Sequence, residues 1–321
     1  MTNVSLVTNF LLMGFSDIRK LQIVHATLFL LVYLAALTGN LLIITVTTLD
    51  RHLHTPMYFF LKNLSFIDIC YISVTVPKSI AISLTDNSSI SFLFCATQLL
   101  LVVWLAASEF FVLTAMSYDR YAAICRPLHY EVTMCRGACV KMMASSWLSG
   151  SLFGFLFSTS TFSLSFCGSN AVQQFFCDVP SLLKISCSED HIAIDASVSA
   201  GVTLGVICFI YIILSYIHIF SAVLRMPSTE SRAKAFSTCL PHLIVIIVFF
   251  FTGAFAYLKP LSDSPSVQDL LVSVLYAVVP PTLNPLIYSL KNKDVKSALG
   301  RALKGTFPCL PLSNKLSVSL C

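Results

Sequence analysis

Four charged side chains stand out because they lie within long apolar runs or at the end of one. Asp119 and Arg120 are neighbours at the end of a run that starts near Thr97, whereas Asp68 and Glu109 lie deeper inside two such runs. A charge buried at that depth in a membrane is costly and marks a functional site by default. Asp119 and Arg120 have an alternative reading as an ordinary interfacial anchor, because their polar ends can reach water and headgroups.

Asp68 and Glu109 have two chemical interpretations if they approach one another. Two neighbouring carboxylates raise each other's pKa, so they must share a proton or a cation. The functional interpretation is a Na⁺ site, which is the one inorganic cofactor that the sequence suggests. The alternative is a pair of protonated or hydrogen-bonded carboxyl groups, and the sequence leaves both open.

The composition predicts that lipid is the main solvent of this chain. Of its 321 residues, 56% are hydrophobic and only 11% are charged, whereas a soluble domain carries about 25% charged residues. Mean hydropathy is +0.84. Helices of about 20 apolar residues cross a bilayer, and we predict seven: about 22–49, from 56, from about 92, about 139–164, about 194–224, from 234 with its core at 244–257, and about 267–290.

The predicted fold is an all-α membrane protein, a seven-transmembrane helix bundle followed by a short amphipathic cytosolic helix. Residues 1–21 are expected to form an extracellular amino terminus, 22–290 the bundle, and 291–321 the amphipathic helix and tail. An apolar stripe of Val295, Leu299, Ala302 and Leu303, flanked by lysines and arginines, is typical of a helix lying on the inner leaflet.

The basic residues predict the orientation of the chain in the plasma membrane. Seven spans place fifteen of the 20 Lys and Arg on one side and five on the other, which is a strong positive-inside bias. The amino terminus would then be extracellular and the carboxyl terminus cytosolic. This distribution suits anionic lipid and an acidic cytosolic partner rather than nucleic acid. We expect no cleavable signal peptide, since 1–15 lacks a basic start and a long apolar core.

Four cysteines fall on the predicted oxidising side: Cys95, Cys167, Cys177 and Cys187. Four cysteines allow three pairings, and the residues alone do not choose among them. Asn3 begins a glycosylation sequon on the same side.

Several motifs occur in a fixed order along the chain. They are Pro56-Met57-Tyr58-Phe59-Phe60-Leu61, Leu64-Ser65-Phe66-Ile67-Asp68, Met116-Ser117-Tyr118-Asp119-Arg120-Tyr121-Ala122-Ala123-Ile124-Cys125, Ser215-Tyr216, Lys234 to Cys239 with His242, and Pro281-Thr282-Leu283-Asn284-Pro285-Leu286-Ile287-Tyr288-Ser289. Together they resemble the vertebrate olfactory receptors, a branch of the rhodopsin-like G-protein-coupled receptors, over roughly 10–303. The sequences of these motifs are most similar to those of family 14 of the olfactory receptors.

The resemblance implies roles for particular residues. Cys95 would pair with Cys177, and Cys167 with Cys187. Asn40, Asp68, Asn284 and Glu109 would form a polar network at mid-membrane. Asp119, Arg120 and Tyr121 would be the G-protein switch, and Tyr216 and Tyr288 would swing toward Arg120 on activation.

The sixth predicted helix departs from the wider rhodopsin-like pattern. It has no mid-membrane Trp with a neighbouring Pro, and reads Phe250-Phe251-Thr252-Gly253 instead. Lys234 also stands where rhodopsin-type receptors have an acid. Asp119 is therefore the expected partner of Arg120.

The implied function is that of an odorant receptor that binds a small volatile ligand within the bundle and activates a stimulatory olfactory G protein, raising cAMP. Helical spacing suggests an apolar pocket lined by Val103, Ala106, Phe110, Ala200, Gly201, Leu204, Phe251, Phe255, Lys259, Val274 and Ala277. Each of these residues has ordinary helix packing or lipid contact as its alternative. Lys259 would either extend to the headgroups, which we favour, or contact the ligand.

Two other classes of protein fit the chain less well. A transporter would use Asp68 and Glu109 as proton carriers, but the sequence shows no inverted repeat. A membrane enzyme would need a metal-ligand spacing, a nucleophile motif or a phosphate-binding loop, and we find none in the sequence.

Overall fold

The computed structural model describes residues 8–14, 18–85, 88–167, 170–188, 191–258, 267–291 and 293–303. Seven long helices dominate these residues: α1 (Arg19–Leu49), α2 (Pro56–Thr85), α3 (Phe92–Cys125), α5 (Arg136–Phe162), α7 (Ile192–Leu224), α8 (Thr229–Leu258) and α9 (Val267–Lys291). Shorter helices are α4 (Tyr130–Thr133), α6 (Val179–Lys184) and α10 (Lys293–Leu303), with 3₁₀ turns at Arg51–Leu53 and Pro127–His129.

Six of these helices are long and apolar enough to cross a membrane, among the described residues: α1, α2, α3 and α7 in full, and Thr229–Phe255 and Leu271–Tyr288 within α8 and α9. The remaining long helix, α5, has 27 residues and is rich in Ser and Gly. It nevertheless packs within the bundle beside α3 and α7, which gives the predicted seven-helix architecture.

The centre of the bundle is α3, which packs against α2, α5, α7 and α8. Its approach to α5 is close because two glycines face it. A Cβ at Gly150 would lie 2.8 Å from the Trp104 carbonyl oxygen, and one at Gly154 would lie 2.8 Å from the Leu100 carbonyl oxygen. Small residues in this pattern allow two membrane helices to pack backbone to backbone.

Helix boundaries differ from the predicted ones where local capping decides them. The predicted sixth helix opens at Lys234, but α8 begins at Thr229, because the Ser228 side chain accepts a hydrogen bond from the Ser231 amide at 3.4 Å.

α2 continues through Pro77 to Thr85. A proline inside a membrane helix is tolerated when neighbouring groups satisfy the freed carbonyl.

One end of the bundle, here called the disulfide end, carries a small sheet. β1 (Asn9–Leu12) pairs antiparallel with β2 (Ser89–Ser91) and parallel with β3 (Ala171–Val172), giving the order β2-β1-β3. Phe10 on β1 is fully buried, and its ring contacts those of Phe92, Phe162 and Phe166. The amino-terminal segment thereby ties two loops together.

The opposite end, here called the Arg120 end, is joined to α10. Val295 and Ala298 on α10 are fully buried, and α10 packs against α1 and α9. Arg301 forms an ion pair with Asp50, which follows α1, and the Tyr58 hydroxyl donates to Asp294 at 3.1 Å. The amphipathic helix is thus attached to the bundle by its apolar face and by polar contacts that include these two.

Candidate functional site

The structure brings Asp68, Glu109 and Asn284 together in the middle of the bundle, from three different helices, and Asn40 of α1 bonds the backbone of α9 at Pro281. The Asn284 amide nitrogen lies 3.1 Å from each Asp68 carboxylate oxygen and 3.0 Å from Glu109 Oε1. The Asn40 amide donates to the carbonyls of Ala36 and Pro281 at 3.0 and 2.9 Å. All four side chains are buried.

This network holds more acceptors than donors. One amide with two hydrogens faces three carboxylate oxygens. Apart from these three residues, the buried Asn40 Oδ1 atom has no hydrogen-bond partner within the described part of the chain. Two buried carboxylates cannot both remain charged beside a single neutral amide. Hard oxygen ligands of this kind fit either a shared proton or a small hard cation.

Arg120 is held by Asp119 at the end of α3. Its Nη2 atom lies 2.6 Å from Asp119 Oδ2, and Asp119 Oδ1 accepts a hydrogen bond from the Tyr130 hydroxyl at 2.7 Å. Burial and the Asp119 carboxylate raise the pKa of the Tyr130 phenol well above its usual range, so Tyr130 remains the donor. Asp119 is fully buried, which strengthens both contacts because little water competes for them.

Two tyrosines and a histidine lie within electrostatic reach of the Arg120 guanidinium: Tyr216, Tyr288 and His242. The Tyr216 hydroxyl lies 2.6 Å from His242 Nδ1. The Tyr288 hydroxyl is buried and has no hydrogen-bond partner among the residues that the structure describes. Tyr121 lies apart from this cluster, where its ring contacts His218 and the Arg126 guanidinium.

Sequence reasoning missed the roles of Tyr130 and His242. A histidine inside the apolar part of the sixth helix was a usable signal, because an isolated imidazole in lipid needs a polar partner. No sequence signal pointed to Tyr130, since its position depends on the turn that returns the chain to α3.

The proposed pocket residues divide into two groups. Val103 and Ala277 are buried, and Ala106, Phe110, Gly201, Leu204 and Val274 are partly buried. Ala200 is exposed, and Phe251 and Phe255 are 60% and 59% exposed on the outside of α8. Lys259 and Asn3 lie outside the described residues.

The inward-facing side of α8 is therefore offset by one residue from the predicted one. The rings of Phe249 and Phe250 stack on Phe110, with centroids 5.9 and 6.2 Å apart. Phe250 also stacks on Phe209 of α7 at 3.9 Å. A continuous run of phenylalanines has no periodicity of its own, so only the packing of α8 identifies the buried face.

A segment of the long loop between α5 and α7 packs into the bundle at the disulfide end. Phe175 and Phe176 are buried, and their rings contact Phe29 and Tyr276 respectively. The next residue, Cys177, donates its amide to Gln98 Oε1 at 2.9 Å, and Asp178 accepts from the Tyr276 hydroxyl at 2.6 Å. We call residues 175–178 the lid.

Two disulfides secure the loop that carries the lid. Cys95 at the start of α3 is bonded to Cys177, and Cys167 to Cys187, with Cα separations of 5.6 and 5.8 Å. These are the pairs implied by the resemblance. Non-reducing peptide mapping is the direct chemical test of both.

Comparisons with known proteins agree with this arrangement. The family profile described as "Olfactory receptor" matches residues 29–305. The chain is 59% identical to human olfactory receptor 14A2 over 96% of this chain and 98% of the relative, and 57% identical to human olfactory receptor 14A16 over 95% and 98%. The crystal structure of squid rhodopsin has the same fold, with a TM-score of 0.70 at 17% identity over 93% of this chain and 90% of that one. The chain therefore belongs to the olfactory receptor family, whose members are multi-pass membrane receptors and not enzymes.

Proposed function

We propose that this odorant receptor binds a small, largely apolar volatile compound beneath the lid and then activates a stimulatory G protein that raises cAMP. The observation that carries this proposal is the buried Asp119–Arg120 pair at the end opposite the lid. An arginine at a bundle end, held by an ion pair with the neighbouring Asp119, can exchange that contact for a partner.

The ligand region is apolar where its walls are described. Phe110, Phe249 and Phe250 supply stacked rings, and Phe176 of the lid adds an aromatic contact with Tyr276 of α9. Burial of a small hydrophobic ligand against such rings stabilises the complex by about 25 cal/mol for each Å² removed from water. Volatile compounds with few polar atoms suit this surface better than charged ones.

The proposed G-protein switch is the release of Arg120 from Asp119, and its chemistry follows from the contacts of Arg120. Its planar guanidinium can donate several hydrogen bonds to backbone carbonyls of an inserted partner helix, but only after leaving Asp119. A hydrogen bond between charged groups contributes about 1.5–3 kcal/mol. A ligand shifts the equilibrium toward the released form only by its difference in affinity for the two forms.

The orientation that we propose places the disulfide end outside the cell and the Arg120 end in the cytosol. The two disulfides that secure the loop carrying the lid, Cys95–Cys177 and Cys167–Cys187, lie at the disulfide end, which suits an oxidising compartment. The basic residues concentrate toward the other end, where anionic lipid and a cytosolic partner would meet them. Asn3 is then available for glycosylation.

Asp68, Glu109 and Asn284 are proposed to hold either a shared proton or Na⁺. The excess of buried oxygen acceptors supports both. Thermal unfolding of the purified receptor in Na⁺ and in N-methylglucamine separates them, because only a sodium site responds to that exchange. Asp68→Asn is the control that should remove the response.

The function is tested by measuring cAMP in cells that express the receptor, against a panel of volatile compounds. Arg120→Ala should abolish the evoked signal while surface labelling stays near the wild-type level. Arg136→Ala is the matched control, because Arg136 begins α5 at the same end. Normal signalling by Arg120→Ala would exclude the proposed switch, and substrate uptake without any cAMP response would favour a transporter.

A further inference from the structure

A groove on the outside of the bundle lies between α3, α5 and α7 near the Arg120 end. Its volume is about 370 Å³, and it is open along one side. Phe111 and Met142 form part of its apolar floor, and Tyr211 of α7 stands at its far side. In a membrane, this open side faces the lipid.

Polar groups run along the α5 wall of the groove in a regular series. Lys141, Ser145 and Ser149 are spaced four residues apart on α5 and all line the groove, so they lie on one face of the helix over about 12 Å of its axis. Lys141 is nearest the membrane surface, five residues from the start of α5. The Tyr118 side chain lines the groove from α3.

These groups have no partners within the described part of the chain. No ion pair involves Lys141 there, and the hydroxyls of Tyr118, Ser145 and Ser149 form no hydrogen bonds there. Most other serines and threonines on the long helices instead donate to a carbonyl one turn earlier, as Ser146 does to Met142. Unpaired polar groups facing hydrocarbon are costly, so an occupant that supplies acceptors would be stabilised there.

We propose that this groove binds an acidic glycerophospholipid of the leaflet at the Arg120 end. The Lys141 ammonium binds the headgroup, whose net negative charge distinguishes an acidic lipid from zwitterionic phosphatidylcholine. The hydroxyls of Ser145, Ser149 and Tyr118 donate to the ester carbonyls, and one acyl chain lies along Phe111 and Met142. The ester carbonyls of such a lipid lie deeper than its phosphate, which matches the order of donors along α5. A sterol, with one hydroxyl at one depth, leaves most of these donors unused.

The site lies next to the switch without belonging to it. Tyr118 immediately precedes Asp119, and α5 and α7 are the groove's other walls. A lipid seated there contacts three helices at once and favours the arrangement described above. The binding itself is independent of which odorant or G protein the receptor uses.

The experiment is native mass spectrometry of the purified full-length receptor, released from nanodiscs of equal parts phosphatidylserine and phosphatidylcholine. The wild-type receptor should retain phosphatidylserine in preference to phosphatidylcholine. Lys141→Gln should reduce the retained phosphatidylserine about tenfold, because a charged hydrogen-bonded contact is lost. Lys62→Gln, which removes the same charge from α2, should change it less than twofold.

A second variant separates the lipid from other occupants of the groove. Ser149→Trp should displace the retained phosphatidylserine without altering the oligomeric state. Equal retention of the two lipids by the wild type, or equal losses in Lys141→Gln and Lys62→Gln, would overturn the proposal. So would a dimer that Ser149→Trp converts to a monomer with lipid retention unchanged, because the groove would then be a contact between two copies of the chain.

Discussion

The two ends of the bundle are held together by different kinds of bonds. The disulfide end has two covalent links, a three-stranded sheet and a cluster of buried phenylalanines. The contacts immediately around Arg120 are reversible ones between single side chains, such as Asp119 with Arg120 and Tyr216 with His242. The proposed function uses this difference, because the ligand site would keep its shape while the surroundings of Arg120 rearrange.

The largest effect is expected from removing the disulfide between α3 and the lid. Cys95→Ala with Cys177→Ala opens a link between residues 82 positions apart, and a loop of that length contributes about 4 kcal/mol through the unfolded state. We expect little receptor at the cell surface and a melting temperature lower by many degrees in detergent. Cys208→Ala, at a free cysteine, is the control, and an unchanged melting temperature for the double variant would contradict a rigid disulfide end.

The next largest effect is expected from Asp119→Asn at the Arg120 end. The substitution removes the charge that holds Arg120 and accepts from Tyr130. The form in which Asp119 holds Arg120 is then less stable by about 1.5–3 kcal/mol, which should raise ligand-independent cAMP roughly tenfold or more. Tyr130→Phe removes one neutral donor and should raise it by a smaller factor. Basal cAMP at the wild-type level in both variants would show that these contacts do not restrain the switch.

A smaller effect is expected from Tyr276→Phe, which removes the hydrogen bond from α9 to the lid. Asp178 is buried, so it loses one of its donors at a cost of about 1–2 kcal/mol. The concentration of odorant needed for half-maximal cAMP should rise several-fold, and basal cAMP should remain at the wild-type level. A raised basal signal instead would mean that the lid restrains the switch as well as the ligand.

The smallest effects concern pH, and their signs differ between the two ends. Burial raises the pKa of Asp178, although hydrogen bonds from Ser181 and Tyr276 oppose this. Burial acts in the same direction on Asp50, but hydrogen bonds from Arg301 and the His52 amide leave its pKa below the usual value. Asp178 therefore stabilises the fold most below the pKa of an unfolded aspartate, about 3.9, and this contribution is lost as the pH rises through its folded pKa. Asp50 instead contributes stability above the pKa of an unfolded aspartate, and this contribution is lost as the pH falls through its folded pKa.

Melting temperatures between pH 3 and pH 7 test this contrast. Relative to Asp50→Asn, the wild type should gain stability as the pH rises, by at most about 1 kcal/mol because Arg301 is partly exposed. Relative to Asp178→Asn, it should lose stability over the same range. Curves with the same sign for both variants would show that the two carboxylates do not differ as described.

Local patterns were sufficient to predict the membrane helices and the elements that carry chemistry. Long apolar runs of about 20 residues are helices in lipid, because every backbone polar group must be satisfied within the segment. Asp68 and Glu109 were recognisable for the same reason, since charges inside such runs are rare. The motif around Arg120 and its relation to a known family identified the kind of receptor.

The sequence by itself thus determined the fold class, the helix order and the family, because these depend on composition, run length and motif order. Only the tertiary structure decided which face of α8 points inward, placing Phe250 inside and Phe251 outside. It also decided that Tyr130 and His242 join the Arg120 end, and that β1 closes a sheet with two loops far along the chain. These contacts join residues that are distant in sequence or lie in runs without periodicity, so packing across helices, and not local pattern, selects them.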